Sequence, residues 1–382
     1  MKSLIRTIAG AGVGALTLLG VSATAAGATS TGYEHGPVPD SDGRAVFVQT
    51  NDPTHNRVLA YARRSDGTLV AGGSYATGGA GGKADGAVVD PIASQGSVAY
   101  DAGTRELVIT NAGSNSVSVF RVDGARLELR QVLSSGGAFP VSATIRRGLV
   151  YVLNAGGDGS VTGYRAEFDG LHPIGTTSLG LGNTNPPFFT AGPGQVGFTP
   201  DGRELLVTTK SHGTVVGFPV RFDGRLGAPI ANAATGAVPF AFSFDPLGRL
   251  VVVEAGTNSV STHIVRSSGS LTTLTGPVGD GQQAACWITV SGRYAYVANA
   301  GSSSLSTFRL GWDGSATLVP GVTPTSGGAI DLVASPDGRF VYSENGAAGT
   351  IDEFRTGPNG SLTPIGRVTG LSAHVFEGIT AT

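Results

Sequence analysis

The segments NAGSNSVSVF (111–120), NAGGDGSVTGY (154–164), EAGTNSVSTH (254–263), NAGSSSLSTF (299–308) and NGAAGTIDEF (345–354) are copies of one hairpin. Each opens on Asn or its substitute, turns through small and polar residues, and closes on alternating apolar residues. Weaker copies at 51–61 and 209–218 raise the number to seven, with starts 43 to 60 residues apart. Repeats of this length, each holding several short strands, are the pattern of a β-propeller. The expected fold is all-β: a seven-bladed propeller of four-stranded antiparallel blades.

Two further landmarks keep the same period. Turn glycines fall at Gly67, Gly124, Gly170, Gly224, Gly269, Gly314 and Gly360, preceded by Asp in five cases and by Ser or Asn in the others. Such dipeptides suit tight turns because Gly and Asn/Asp accept positive φ. A Pro-Asp-Gly type turn precedes the Asn hairpin at TPDGR (199–203), DPLGR (245–249), VSGR (290–293) and SPDGR (335–339). Each blade therefore reads as strands A to D, joined in order by a Pro-Asp-Gly turn, the Asn-Ala-Gly hairpin and an Asp-Gly turn. Strand B is alternating or wholly apolar, as in LVYVL (149–153) and RYAYVA (293–298), which fits burial between neighbouring blades.

One strand is missing at the start and one is left over at the end. The chain begins at Asp42-Gly43-Arg44 with strand B of blade 1, and FEGITAT (376–382) has no blade of its own. Pairing these last residues with Val46–Gln49 closes the ring and removes an exposed edge.

Composition sets the remaining bounds. Lys2 and Arg6 precede a short run of small and apolar residues (8–21), followed by Ala23-Thr24-Ala25. That is the form of a secretory signal peptide. Residues 1–28 are read as signal and short leader, and 29–382 as one propeller domain of a secreted, extracellular protein. The formal net charge is −2, with Lys and Arg scattered, which excludes a nucleic-acid footprint. No later segment is apolar for long enough to span a bilayer. A single Cys, Cys286, excludes an intrachain disulfide; set in ACWIT (285–289), it is expected to be a buried, inert thiol. A monomer is expected.

Strand direction puts the Asn-Ala-Gly hairpins and the D-to-A connections on one face of the disc. Two long insertions share that face: Gly-rich residues 71–95, and residues 179–195 with Asn183, Asn185, Phe188 and Phe189. Long loops on a rigid scaffold commonly carry function. Ligand-facing candidates at the starts of inner strands are Gln195, Asp331 and Glu377. Glu254 stands out because it replaces the repeat Asn, so Glu254 and Glu377 are the candidate catalytic carboxylates. Asn185, Phe188 and Phe189 would roof the site, and His374 would stand at its mouth. Lys83 and Asp85 sit in the first insertion.

Several motifs fail on inspection. GGAGGK (78–83) lacks the Ser or Thr and the helix of a phosphate loop. Asp40-Ser41-Asp42-Gly43 lacks the spacing and terminal Glu of a calcium loop. There is no Gly-x-Ser-x-Gly, His-Glu-x-x-His or paired Cys. Nothing in the sequence specifies a cofactor or a metal.

The repeats YVANAGSSSLSTFRL (296–310) and SPDGRFVYSENG (335–346) resemble those of the lactonase-type seven-bladed propellers. That group includes 6-phosphogluconolactonase-like and 3-carboxymuconate-cyclase-like proteins, and sister propellers with Tyr-Val-Thr-Asn repeats. The resemblance covers nearly the whole chain after the leader. It implies hydrolysis of a sugar lactone or related cyclic ester. The family's His near an inner-strand start has no counterpart at Phe139-Pro140 or Ala329-Ile330. Its Asn-Glu pair at the end of strand B is matched in part by Glu254 and by Glu344-Asn345. No Arg or Lys is clearly placed as an electrophilic partner for these carboxylates, though Lys210 lies beside one hairpin. The alternative is a non-catalytic propeller that binds a small molecule, glycan or protein through the same face.

Overall fold

The structure, a computed structural model, describes residues 41–382. The signal-peptide reading of residues 1–28 lies outside them, as does Asp40. Seven four-stranded antiparallel sheets form the ring. Their inner A strands are, from blade 1 to blade 7, Ile379–Ala381, Val98–Asp101, Pro140–Arg146, Gln195–Phe198, Pro239–Phe244, Ala285–Ser291 and Ala329–Ala334. Among the described residues, no helix is long and apolar enough to cross a membrane.

Closure follows the sequence reading. Val46 pairs with Ala381, Phe47 with Thr380 and Val48 with Ile379, so the C-terminal strand becomes the innermost strand of blade 1. Blade 1 meets blade 7 through a buried ion pair. Arg63, 1% exposed, reaches Asp337 at 2.8 Å, and Arg44 contacts the same carboxylate. Burial alone would raise the Asp337 carboxyl; the Arg63 guanidinium, the Ser335 hydroxyl and the Arg339 amide hold it well below the usual range instead.

The B strands are the reason the blades stack. Residues Leu250–Glu254 are buried throughout, on both faces of their sheet. The apolar clusters accordingly run between blades rather than within them. One joins Phe240 and Val251 of blade 5 to Trp287 and Ile288 of blade 6 and Ile330 of blade 7. Side chains from two blades interleaving in one core fix the ring as a unit.

The first insertion is shorter than the sequence suggested. Leu69–Ala76 is the outer strand of blade 1, so the loop proper spans residues 77–97. Asp85 forms a one-residue parallel bridge with Phe188, which ties this loop to the second insertion. The loop then crosses the ring axis. Ile92 and Ser94 donate their amides to the Glu377 carboxylate of blade 1 at 2.8 and 3.0 Å. The Ser94 hydroxyl donates to Val141 of blade 3, and the Gln95 amide to Gly194 beside blade 4. The Gln95 side chain exchanges two hydrogen bonds with the Ile288 backbone of blade 6, and Trp287 Nε1 donates to the Ser94 carbonyl. Residues 92–95 thus plug the axial channel.

Candidate functional site

Above the plug, on the hairpin face, lies a cavity of ≈ 210 Å³. Its walls are Val88 and Val89 of the first insertion, Phe189 of the second, and Val238, Phe240 and Trp287 of blades 5 and 6. The polar side chains on it are Asp90, Thr190, Lys210 and the Cys286 thiol. Mostly apolar walls around a few convergent polar groups are what a small-molecule site requires.

Each polar group is brought there by an identifiable local feature. Lys210 is the second residue of its hairpin, where four siblings carry Ala112, Ala155, Ala255 and Ala300. It takes a left-handed φ of 47°, is 2% exposed, and donates from Nζ to the Ala93 carbonyl at 2.7 Å and the Phe189 carbonyl at 2.5 Å. Nζ also stands 5.3 Å from the centre of the Phe240 ring. Burial pulls the ammonium down to about 8, against Asp90, Glu377 and Cys286, which favour the charged form. Asp90, on the first insertion, is pushed up to about 6 by burial, with Lys210 opposing the shift. Cys286 sits at the bulge where strand A of blade 6 pairs irregularly with strand B. It is 9% exposed, and burial raises its thiol far above the ordinary range, so it is held as a neutral apolar group.

Below the plug the axis is rich in carboxyls. Glu377 is fully buried, and its oxygens are occupied by the plug amides. Glu344 accepts the Gly378 amide at 2.8 Å, and Asp331 accepts the amides of Leu332 and Ile379. Burial, reinforced by neighbouring carboxyls, raises Glu344 and Glu377 well above the carboxylate range; burial takes Asp331 to about 7. These groups clasp the closing strand and the plug. Asp331 and Gln195 line the axial channel of ≈ 300 Å³ that continues below, and Gln195 is further engaged by the Phe242 amide at 2.7 Å.

The structure therefore divides the sequence candidates. Phe189 lines the upper cavity, and Phe188 packs on it with ring centres 5.0 Å apart while remaining 48% exposed. His374 is exposed, with Nδ1 3.1 Å from the Val88 carbonyl at the rim. Asn185 is exposed on the hairpin of blade 3, against Gly156. Glu377, Asp331 and Gln195 lie at or below the plug instead of on the cavity wall.

Glu254 is not brought to the cavity at all. It is fully buried inside its own hairpin, where Oε1 accepts from the Gly236 amide and the Ser261 hydroxyl and Oε2 from the Ser259 hydroxyl. Asn299 holds the same place in blade 6, where its Nδ2 donates to the Ser304 and Ser306 hydroxyls, the reverse of the Glu254 bonds. Ser261 also lies 2.8 Å from His263 Nε2. The His263–Ser261–Glu254 chain is not a nucleophilic triad, because the hydroxyl stands between imidazole and carboxylate instead of the imidazole standing between the other two. Burial lowers His263 to about 4, so the ring is neutral and structural.

Asp90, Lys210 and Trp287 line the cavity, and of these the sequence points only to Lys210, as a cation beside one hairpin. The available signal was the hairpin alignment: Lys210 departs from a column that is Ala in four of six siblings, with Asp52 and Gly346 in the others, and a buried Lys in place of Ala is a larger physical change than Glu in place of Asn.

No family model and no curated protein matches the sequence. Solved structures do. A Bacteroides fragilis protein provisionally named 6-phosphogluconolactonase superposes with a TM-score of 0.70 at 16% identity, covering 91% of this chain and 100% of its own. The periplasmic gluconolactonase PpgL of Pseudomonas aeruginosa gives 0.69 at 17%, covering 88% and 98%. A Lactobacillus plantarum protein gives 0.67 at 18%, covering 89% and 99%. At these identities the likeness is one of architecture, and the chain has the fold of the lactonase-type seven-bladed β-propellers.

Proposed function

We propose that this protein is a lactonase-like hydrolase acting on small apolar lactones or esters in the upper cavity, with Asp90 as general base and Lys210 as oxyanion donor. The supporting observation is that a carboxylate raised to about 6 and an ammonium lowered to about 8 face one apolar-walled cavity. Environments that shift an acid and a base toward neutrality are characteristic of acid–base sites. Two Nζ hydrogens are held by the Ala93 and Phe189 carbonyls, which leaves the third for a substrate carbonyl.

In this reading a water oxygen attacks the carbonyl carbon while its proton passes to Asp90. The negative charge that develops on the carbonyl oxygen is met by the Lys210 ammonium. The ring C–O bond then breaks, and the departing alkoxide takes the proton back from Asp90. The fold shared with gluconolactonase supports the reaction class. The walls argue for an apolar ring: Lys210 is the one cation on the lining, and the donors a sugar acid or a phosphate would need are few. The basic start and Ala-x-Ala site of residues 1–28 support export, and no observation calls for a second subunit.

Turnover of apolar aryl and alkyl lactones, followed by acid release, tests this against 6-phosphogluconolactone. The base must be ionised and the lysine protonated. The rate is expected to rise with pH through about 6 and to fall through about 8. Asp90→Asn should remove the acid limb. An unchanged profile in Asp90→Asn, or no turnover of any apolar lactone, would sink the assignment. Calorimetric binding without turnover would favour the non-catalytic reading, in which Lys210 merely ties the two insertions together through its carbonyl contacts.

A further inference from the structure

Lysine is scarce in this chain. Of 25 cationic residues, three are Lys: Lys2, Lys83 and Lys210. Arg serves everywhere else, including the buried ion pair between blades 1 and 7. One of those three lysines is the buried cation of the cavity. The fold does not need a cation at that hairpin position, because Ala112, Ala155, Ala255 and Ala300 occupy it in sibling blades. Nor would a purely electrostatic role require an amine. What an amine offers and a guanidinium does not is an accessible lone pair.

The geometry presents that lone pair in a defined direction. In the neutral form the nitrogen keeps two hydrogens, and the Ala93 and Phe189 carbonyls accept two. The lone pair is left at a free corner of the tetrahedron. Removal from water favours the neutral form, as in lysines that attack carbonyl carbon. Asp90 lines the same cavity and is able to deliver a proton to a departing hydroxyl.

We propose that Lys210 is a covalent capture site for a small apolar aldehyde, held as an imine among Phe189, Phe240 and Trp287. The Nζ lone pair forms a bond to the carbonyl carbon, and one Nζ hydrogen passes to the carbonyl oxygen, giving a neutral carbinolamine. That hydroxyl leaves as water with a proton from Asp90, giving a protonated imine and no net redox change. The product keeps the positive charge beside Asp90 and near the Phe240 ring, where the ammonium stood. The inference shares the cavity with the hydrolytic reading but none of its steps, and the two fail separately.

Benzaldehyde with cyanoborohydride, followed by peptide mass mapping, tests it on the whole chain. Hydride reduction fixes the imine as a secondary amine, adding the mass of the aldehyde less one oxygen. Lys210 should be labelled roughly tenfold or more faster than the exposed Lys83. Its labelling should peak at about pH 7 and fall toward pH 9, because the step needs Lys210 neutral, against a value of about 8, and Asp90 protonated, against a value of about 6. Lys210→Arg and Lys210→Ala should both lack the adduct; the first keeps the charge and the second restores the sibling residue. Equal labelling of Lys83 and Lys210, or none at Lys210, would overturn the proposal even if lactones are turned over. An adduct without lactone turnover would uphold it and end the hydrolytic reading.

Discussion

The B–C hairpins of blades 4 and 5 both depart from the repeat, at adjacent positions of the same turn. Blade 5 replaces the first residue, Asn, with Glu254. Blade 4 replaces the second, Ala, with Lys210. The first position points into the hairpin, where two hydroxyls and an amide close around whichever polar group is present, so the substitution is absorbed. The second points across the ring mouth, toward the insertions, where a long side chain meets groups from other parts of the chain. A departure from a repeat therefore signals chemistry only if the position faces something that does not itself repeat.

The contrast can be broken at its stronger end. Lys210→Ala should reduce lactone turnover roughly 10²–10³-fold, the usual loss on removing one oxyanion donor. It should also lower stability by about 1–3 kcal/mol, because the Ala93 and Phe189 carbonyls lose their donor, so turnover is compared per folded molecule. If turnover persists in Lys210→Ala but disappears in Glu254→Gln, the roles assigned to the two hairpins are reversed.

The junction between blades 7 and 1 supplies the scale for a charge that holds the fold. Asp337→Ala strips a buried Arg63 of its carboxylate and should cost about 3 kcal/mol. Because the Asp337 carboxyl is held below its ordinary value, its contribution is complete above the unfolded value and is lost as pH falls below about 4. Denaturant melts at neutral and acid pH should show the mutant and parent converging as the solution is acidified. A constant gap would remove the pair from the stability account.

The weaker end of the contrast is Glu254 itself. Glu254→Ala strands the Gly236 amide and takes one of two partners from each of the Ser259 and Ser261 hydroxyls, for about 1–3 kcal/mol, with turnover per folded molecule unchanged. Glu254→Asn restores the sibling residue and should cost about 1 kcal/mol or less. A large loss of turnover in the stable Asn variant would return Glu254 to the site.

The ring was legible because its landmarks repeat. Hairpins, turn glycines and buried B strands each recur seven times, and a missing inner strand at the start matched an unused strand at the end. The site was less legible for the converse reason. Asp90 and the plug belong to an insertion that occurs once, with no sibling to align. Lys210 lies in the most degraded hairpin, where Thr209 replaces Asn and hides the register. Glu377 lies at the axis, but nothing local to it in the sequence shows that its oxygens are taken by Ile92 and Ser94.

Those two amides find their acceptor 285 and 283 residues further along the chain. The acceptor sits two residues before the tail residues that pair with the first strand. A nascent chain that lacks its last few residues has no carboxylate to receive the plug and no strand to complete blade 1. The cavity floor and ring closure therefore depend on the same C-terminal residues. Contacts of such long sequence separation make folding slow. They also make it self-checking, because an incomplete chain cannot assemble the pocket.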